Sequence, residues 1–187
     1  MKDNDKIIND KEYDVSFLDQ QLLKALDYLK INWLDPYSGF VASVLIDKGK
    51  SITSTNTFIT GDRIKHAEFN AVILYEKKYG PVSSKALLVV TLSPCIVYSG
   101  YREGPSCSQF LLDKGITRVH VGLNHEKQGG LDAYSSMGIN LSVTADQRIK
   151  RVSKSLLELY VTNKNLVANN LNHWLRAKEK VGLEIFQ

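Results

Sequence analysis

Val15, Leu18, Leu22, Leu26 and Leu29 recur at the spacing of one helical face. This stripe predicts an amphipathic helix, capped by Asp14 or Ser16 and running to about residue 31. Asp35-Pro36-Tyr37-Ser38-Gly39 is turn chemistry and closes it. The period then changes. Residues 40–47 read as a strand, Lys48-Gly49-Lys50 as a tight turn and residues 51–58 as a second strand, which makes a hairpin. Gly61-Asp62-Arg63 breaks the pattern before a second helix, residues 66–79, stopped by Gly80-Pro81. Residues 86–92 are continuously apolar, as in a strand covered on both faces. A loop over 96–106 leads to a short helix over 107–114. Alternating strands at 117–123 and 139–145 flank another short helix at 131–137. From residue 40 the order β-β-α-β-α-β-α-β predicts a mixed sheet: an antiparallel hairpin first, parallel crossovers after it. Two further helices follow, one on the stripe Ile149, Val152, Leu156 and Leu159, the other on Val167, Leu171, Trp174 and Val181, with Gly182 as its stop.

The length of 187 residues fits one domain with an appendage. The division expected is a polar arm over 1–13, a domain over 14–145 and a helical extension over 146–187. No apolar run approaches the roughly 20 residues of a membrane span, and the polar first residues lack a secretory h-region. A cytoplasmic location without membrane attachment is therefore expected, where two cysteines suggest metal or catalysis rather than a disulfide. Net charge is +4, and residues 146–187 hold eight Lys or Arg against four Asp or Glu, so the extension carries the whole excess. Such helices could attract the phosphates of a nucleic acid; a solvated helix face is the simpler reading.

The candidate chemistry lies in His66-Ala67-Glu68, Ser93-Pro94-Cys95 and Cys107, the last two segments holding the only thiols of the chain. One imidazole and two thiolates suit a tetrahedral Zn2+ that keeps a fourth position for water, and a neighbouring carboxylate is the proton carrier such a water needs. Cys95 follows the carboxyl end of a buried strand and His66 opens a helix, the places where open α/β sheets put ligands. His120, His125 and His173 are assigned structural or surface roles.

His-Ala-Glu, a buried strand, then Pro-Cys with a second Cys resembles the zinc-dependent cytidine and deoxycytidylate deaminase superfamily, over about residues 40–145. Eleven residues, rather than the usual two, separate Cys95 from Cys107. The segment Gly100-Tyr101-Arg102-Glu103-Gly104-Pro105-Ser106-Cys107 is similar to the pyrimidine deaminase of riboflavin biosynthesis, whereas Asn56 resembles the ribose-contacting Asn of nucleotide- and tRNA-acting members.

The resemblance implies a three-layer α-β-α fold, a five-stranded mixed sheet flanked by helices, here with two extra C-terminal helices. It implies His66, Cys95 and Cys107 as zinc ligands and Glu68 as the catalytic proton carrier. Asn56, Ala67, Ser93 and Arg102 are implied as substrate-binding residues, with Arg102 placed for a phosphate. The activity implied is hydrolytic release of ammonia from a (deoxy)cytidine nucleoside or nucleotide or a related aminopyrimidine, by a homo-oligomer in nucleotide metabolism. Two alternatives stand beside it: a deaminase acting on a base in RNA or single-stranded DNA, and a non-catalytic zinc-binding interaction protein.

Overall fold

The computed structural model describes residues 15–59, 63–96, 105–125, 130–167 and 171–187. The N-terminal arm and the greater part of the inter-cysteine loop, Arg102 included, lie outside them.

Helix α1 (Val15–Ile31) buries Leu18, Leu22, Ala25, Leu26 and Leu29, the stripe seen in the sequence. Strand β1 (Ser38–Asp47) is buried at every position, because β2 (Lys50–Ile59) and β4 (Leu87–Leu92) pair with its two edges and helices cover its faces. The β1–β2 connection is Lys48-Gly49, both residues at positive φ (50° and 71°). That is the two-residue hairpin turn whose twist matches the strands, and glycine takes one of its positions at no steric cost. Helix α2 (Ala67–Tyr79) lies on β1 and β2. Ala71, Val72 and Tyr75 are buried on its inner face, whereas Ile73 is half exposed.

Beyond β4 the chain alternates as α3 (Cys107–Asp113), β5 (Arg118–Leu123), α4 (Leu131–Ser136) and β6 (Asn140–Val143). β4, β5 and β6 run parallel, and β1 runs antiparallel to β4. The three-layer mixed sheet expected is present. Residues 63–65 add a short sixth strand, β3 (Arg63–Lys65), so the order is β3-β2-β1-β4-β5-β6. The hydrophobic pattern passes over β3 because three residues pairing along one edge of β2 are too few to show a period.

Helices α5 (Gln147–Val167) and α6 (Leu171–Val181) end in a 3-10 turn, Gly182–Phe186. Ile149, Val152, Leu156, Trp174 and Phe186 join the same core as the sheet. Among the described residues no helix is long and apolar enough to cross a membrane.

Antiparallel pairing of β1 with β4 sets the beginning of β1 beside the end of β4. The Ala42 amide donates to Thr91 Oγ1 at 3.1 Å there. The β1–β2 register slips at this end: Ser38 faces Thr57 and Ala42 faces Thr55, so three β1 residues stand opposite Asn56 alone. The slip is filled by the Asn56 side chain, whose Oδ1 accepts from the Phe40 and Val41 amides, both at 2.8 Å.

Candidate metal and active site

Three chain segments converge at the carboxyl end of β4. Pro94 ends the strand, and the Ser93 amide extends the parallel ladder by donating to the Leu123 carbonyl at 2.9 Å. Ser106 caps α3, its Oγ accepting from the Gln109 amide at 3.2 Å. The cap places Cys107 in the first turn, where its amide donates to Cys95 Sγ at 3.2 Å and the Ser108 amide donates to the Cys95 carbonyl at 3.1 Å. These two bonds tie the α3 start to the β4 end across the long loop. His66 is the N-cap of α2, in extended backbone conformation.

The three candidate ligands meet here. Cys107 Sγ lies 3.0 Å and Cys95 Sγ 4.0 Å from His66 Nδ1, and all three ligand atoms lie within 4.8 Å of one another. Zinc bonds of about 2.0 Å to nitrogen and 2.3 Å to sulfur put tetrahedral ligand atoms roughly 3.5–3.8 Å apart. The cluster therefore fits a zinc ion with adjustments of up to about an ångström. The hydrogen bond with the Cys107 side chain pushes the Cys95 thiol well below its ordinary range, and His66 adds to this against the opposing effect of burial. A thiolate is the form that binds metal.

Glu68 occupies the first turn of α2 and is 3% exposed. Burial raises its carboxyl above the ordinary range. His66 pulls it down, and Cys95 pushes it up. The Ala67 carbonyl between them accepts from the Ser43 and Ser54 hydroxyls at 2.9 and 2.8 Å. Ser93 Oγ accepts from the His125 amide at 2.9 Å. Asn56 is buried at the β1 slip.

Tyr134 is a residue that pattern reading misses. It is fully buried on α4, and its hydroxyl donates to the Pro94 carbonyl at 2.6 Å. Burial raises its pKa, and the charges of Cys95, Glu68 and Cys107 act on it in the same direction. A tyrosine at an apolar helix position demands a hydrogen-bond partner, but nothing in the sequence says that the partner lies 40 residues away.

The family model for the cytidine and deoxycytidylate deaminase zinc-binding region matches residues 19–123, more than half of the chain. The chain belongs to this family. The cofactor of that region is zinc, and His66, Cys95 and Cys107 are a donor set suited to it. No curated relative matches the sequence.

Three solved structures are similar in fold. One is a diaminohydroxyphosphoribosylaminopyrimidine deaminase/5-amino-6-(5-phosphoribosylamino)uracil reductase from Thermotoga maritima. It has a TM-score of 0.62 at 22% identity over 81% of this chain and 42% of that one. RibD from Acinetobacter baumannii has a TM-score of 0.57 at 17% identity over 84% of this chain and 41% of that one. The dCMP deaminase of cyanophage S-TIM5, in complex with dCMP and dUMP, has a TM-score of 0.53 at 15% identity over 71% of this chain and 99% of that one. The chain thus spans about two fifths of the length of the first two enzymes.

Proposed function

We propose that this protein is a zinc-dependent hydrolytic deaminase. Its substrate would be an aminopyrimidine carried on a sugar or sugar phosphate, a (deoxy)cytidine nucleotide above all. The observation that carries the reading is Glu68: a carboxylate buried in the first helical turn beside two thiols and an imidazole, with its pKa raised by burial. A structural zinc site needs no such group, and a buried carboxylate without a task is costly.

His66, Cys95 and Cys107 would hold the metal, which supplies the Lewis acidity that makes water a nucleophile near neutral pH. Glu68 takes a proton from the attacking water as its oxygen bonds to the amine-bearing ring carbon. Glu68 then delivers that proton to the ring nitrogen. It takes the second proton of the former water and passes it to the amine, so the carbon–nitrogen bond breaks and ammonia leaves. The net change is water in and ammonia out, with no change of oxidation state. A pKa raised by burial suits this work, because the group must hold and surrender a proton at the same pH.

The Ala67 amide and the Ser93 backbone would meet the base edge, Asn56 the ribose and Arg102 a phosphate. The complex of the cyanophage enzyme with dCMP and dUMP supports a nucleotide as the first substrate to try, and the name of the Thermotoga maritima enzyme supports a phosphoribosylaminopyrimidine as the second.

The test is ammonia release from the zinc-loaded protein on dCMP, CMP, cytidine, deoxycytidine, the phosphoribosylaminopyrimidine and a cytosine-containing oligonucleotide. Glu68→Gln serves as the control. Release from a free pyrimidine compound that falls by roughly two to four orders of magnitude in Glu68→Gln, with zinc content unchanged, is the expected result. Release from the oligonucleotide alone would reassign the substrate class. No release from any compound by protein with one zinc per chain would leave a zinc-binding interaction protein.

A further inference from the structure

Lys178 is the one fully buried lysine among the described residues, and it lies in the C-terminal helix that the proposed chemistry leaves without a task. Its ammonium group meets no carboxylate within ion-pair distance in the described structure. Nζ donates instead to two backbone carbonyls, Asp35 at 2.6 Å and Ser38 at 3.1 Å. It lies beside an edge-to-face pair of indoles, 5.5 Å from the Trp33 ring centre and 5.6 Å from that of Trp174. The indoles complete the clamp. Trp33 Nε1 donates back to the Lys178 carbonyl at 3.2 Å, and Trp174 Nε1 donates to the same Ser38 carbonyl at 2.9 Å. A charge taken out of water is expensive unless its surroundings repay it. Here they do so in part, by gripping one stretch of backbone.

That stretch has a definite place. Ser38 is the last β1 residue before the register slips, and Gly39, Phe40 and Val41 form the slip that the Asn56 carboxamide fills. The fit is close: a Cβ at Gly39 would stand 2.2 Å from the Asn56 side-chain atoms. Phe40 itself stacks on Tyr160 of α5 at 4.1 Å. The same strand end bonds to Thr91, two residues before Ser93.

We propose that Lys178 is a positioning residue: from α6 it pins the Asp35 and Ser38 carbonyls, and thereby fixes the slipped end of β1 that holds Asn56 toward the substrate. The inference rests on the reading of Asn56 as a sugar contact. The C-terminal helices are, on this view, part of the substrate side of the site.

The experiment uses Lys178→Met, which fills similar space but donates no hydrogen bond, and Asn56→Asp, which keeps the oxygen that the Phe40 and Val41 amides need but loses the amide donor. Amide hydrogen exchange is measured first, on zinc-loaded protein. Lys178→Met is expected to speed exchange of the Phe40 and Val41 amides about ten-fold or more, while the Leu88, Val90 and Val121 amides keep their protection. Equal acceleration of all five, or none at Phe40 and Val41, overturns the inference.

Kinetics on the best substrate of the ammonia panel follow. A KM raised about five-fold in Lys178→Met, the scale of one weakened hydrogen bond, with kcat nearly unchanged, is expected. A similar rise is expected in Asn56→Asp, and no further rise in the double variant. A rise in Asn56→Asp without one in Lys178→Met overturns the positioning role. No rise in either removes Asn56 from the substrate and overturns the reading beneath it, with the exchange data still standing. Should Lys178→Met not fold, Trp174→Phe removes the indole donor to Ser38 together with part of the buried ring, and the selective exchange of the Phe40 and Val41 amides is the expectation it carries.

Discussion

The carbonyl of Pro94 sits one residue before a candidate metal ligand, and the Tyr134 hydroxyl is its 2.6 Å partner. Removing that hydroxyl while keeping the ring leaves a buried acceptor unpaired, which costs about 1–3 kcal/mol. Tyr134→Phe is therefore expected to lower stability by that amount in urea unfolding. Because the bond orients the backbone that carries Cys95, the variant should also lose zinc to a chelator faster, roughly in the 10–100-fold range seen when groups supporting a ligand are removed. Unchanged zinc release with lowered stability would make Tyr134 a packing residue only. The ligand cluster itself was legible because rare residue types carried it: the only two thiols of the chain and the His66-Ala67-Glu68 triplet. Tyr134 was not legible, since a hydroxyl meeting a distant carbonyl leaves no mark on composition or period. Asn56 was legible as a residue of interest, but its hold on two backbone amides is visible only once the strand register is known.

At the scale of the element, the β1 slip is the feature least open to pattern reading. Residues 40–47 announced a strand, yet the alternation says nothing of where its register against β2 breaks. Gly39 shows why the break is stable only with this sequence. A Cβ added there would stand 2.2 Å from the Asn56 carboxamide atoms. Any side chain there must expel Asn56 or move the strand. Gly39→Ala is therefore expected to destabilise the protein by about 1–3 kcal/mol, the usual cost of overpacking a filled interior, and to release the Phe40 and Val41 amides to exchange. A variant as stable as the parent would show that the slip can widen freely. The same limit explains β3 and α2. Three residues are too short for a period, and the exposure of Ile73 depends on which neighbours cover the helix rather than on its own sequence.

At the scale of the whole molecule, the basic C-terminal extension turns out to be spent partly inward. Lys178 is buried, whereas Arg151, which donates to the Gln187 carbonyl at 2.7 Å, and Lys154, 3.8 Å from Glu158, stay at the surface. The charge count of the sequence treated all eight cations alike. Amphipathic spacing puts position 178 on the stripe of Leu171, Trp174 and Val181, but it says nothing of what would receive a buried ammonium there. That lysine gives stability a pH dependence whose sign follows from its position. Burial lowers the Lys178 pKa from its ordinary 10.5 to about 8, against an opposing pull from the Asp35 charge. The folded chain therefore binds fewer protons at this site than the unfolded chain between pH 8 and 10.5, and the unfolding free energy contributed by the site rises with pH across that window. Below pH 8 both states carry the proton and the contribution is flat, at the full cost of the buried charge. Urea unfolding of wild type and Lys178→Met at pH 7, 8, 9 and 10 isolates the effect, because tyrosines, cysteines and zinc ligands titrate in both proteins and cancel in the difference. The wild type should gain on the variant steadily above pH 8 and not below it. A difference that is flat from pH 7 to 10, or that shrinks, would mean that the two carbonyls and two indoles compensate the charge fully and leave it protonated throughout.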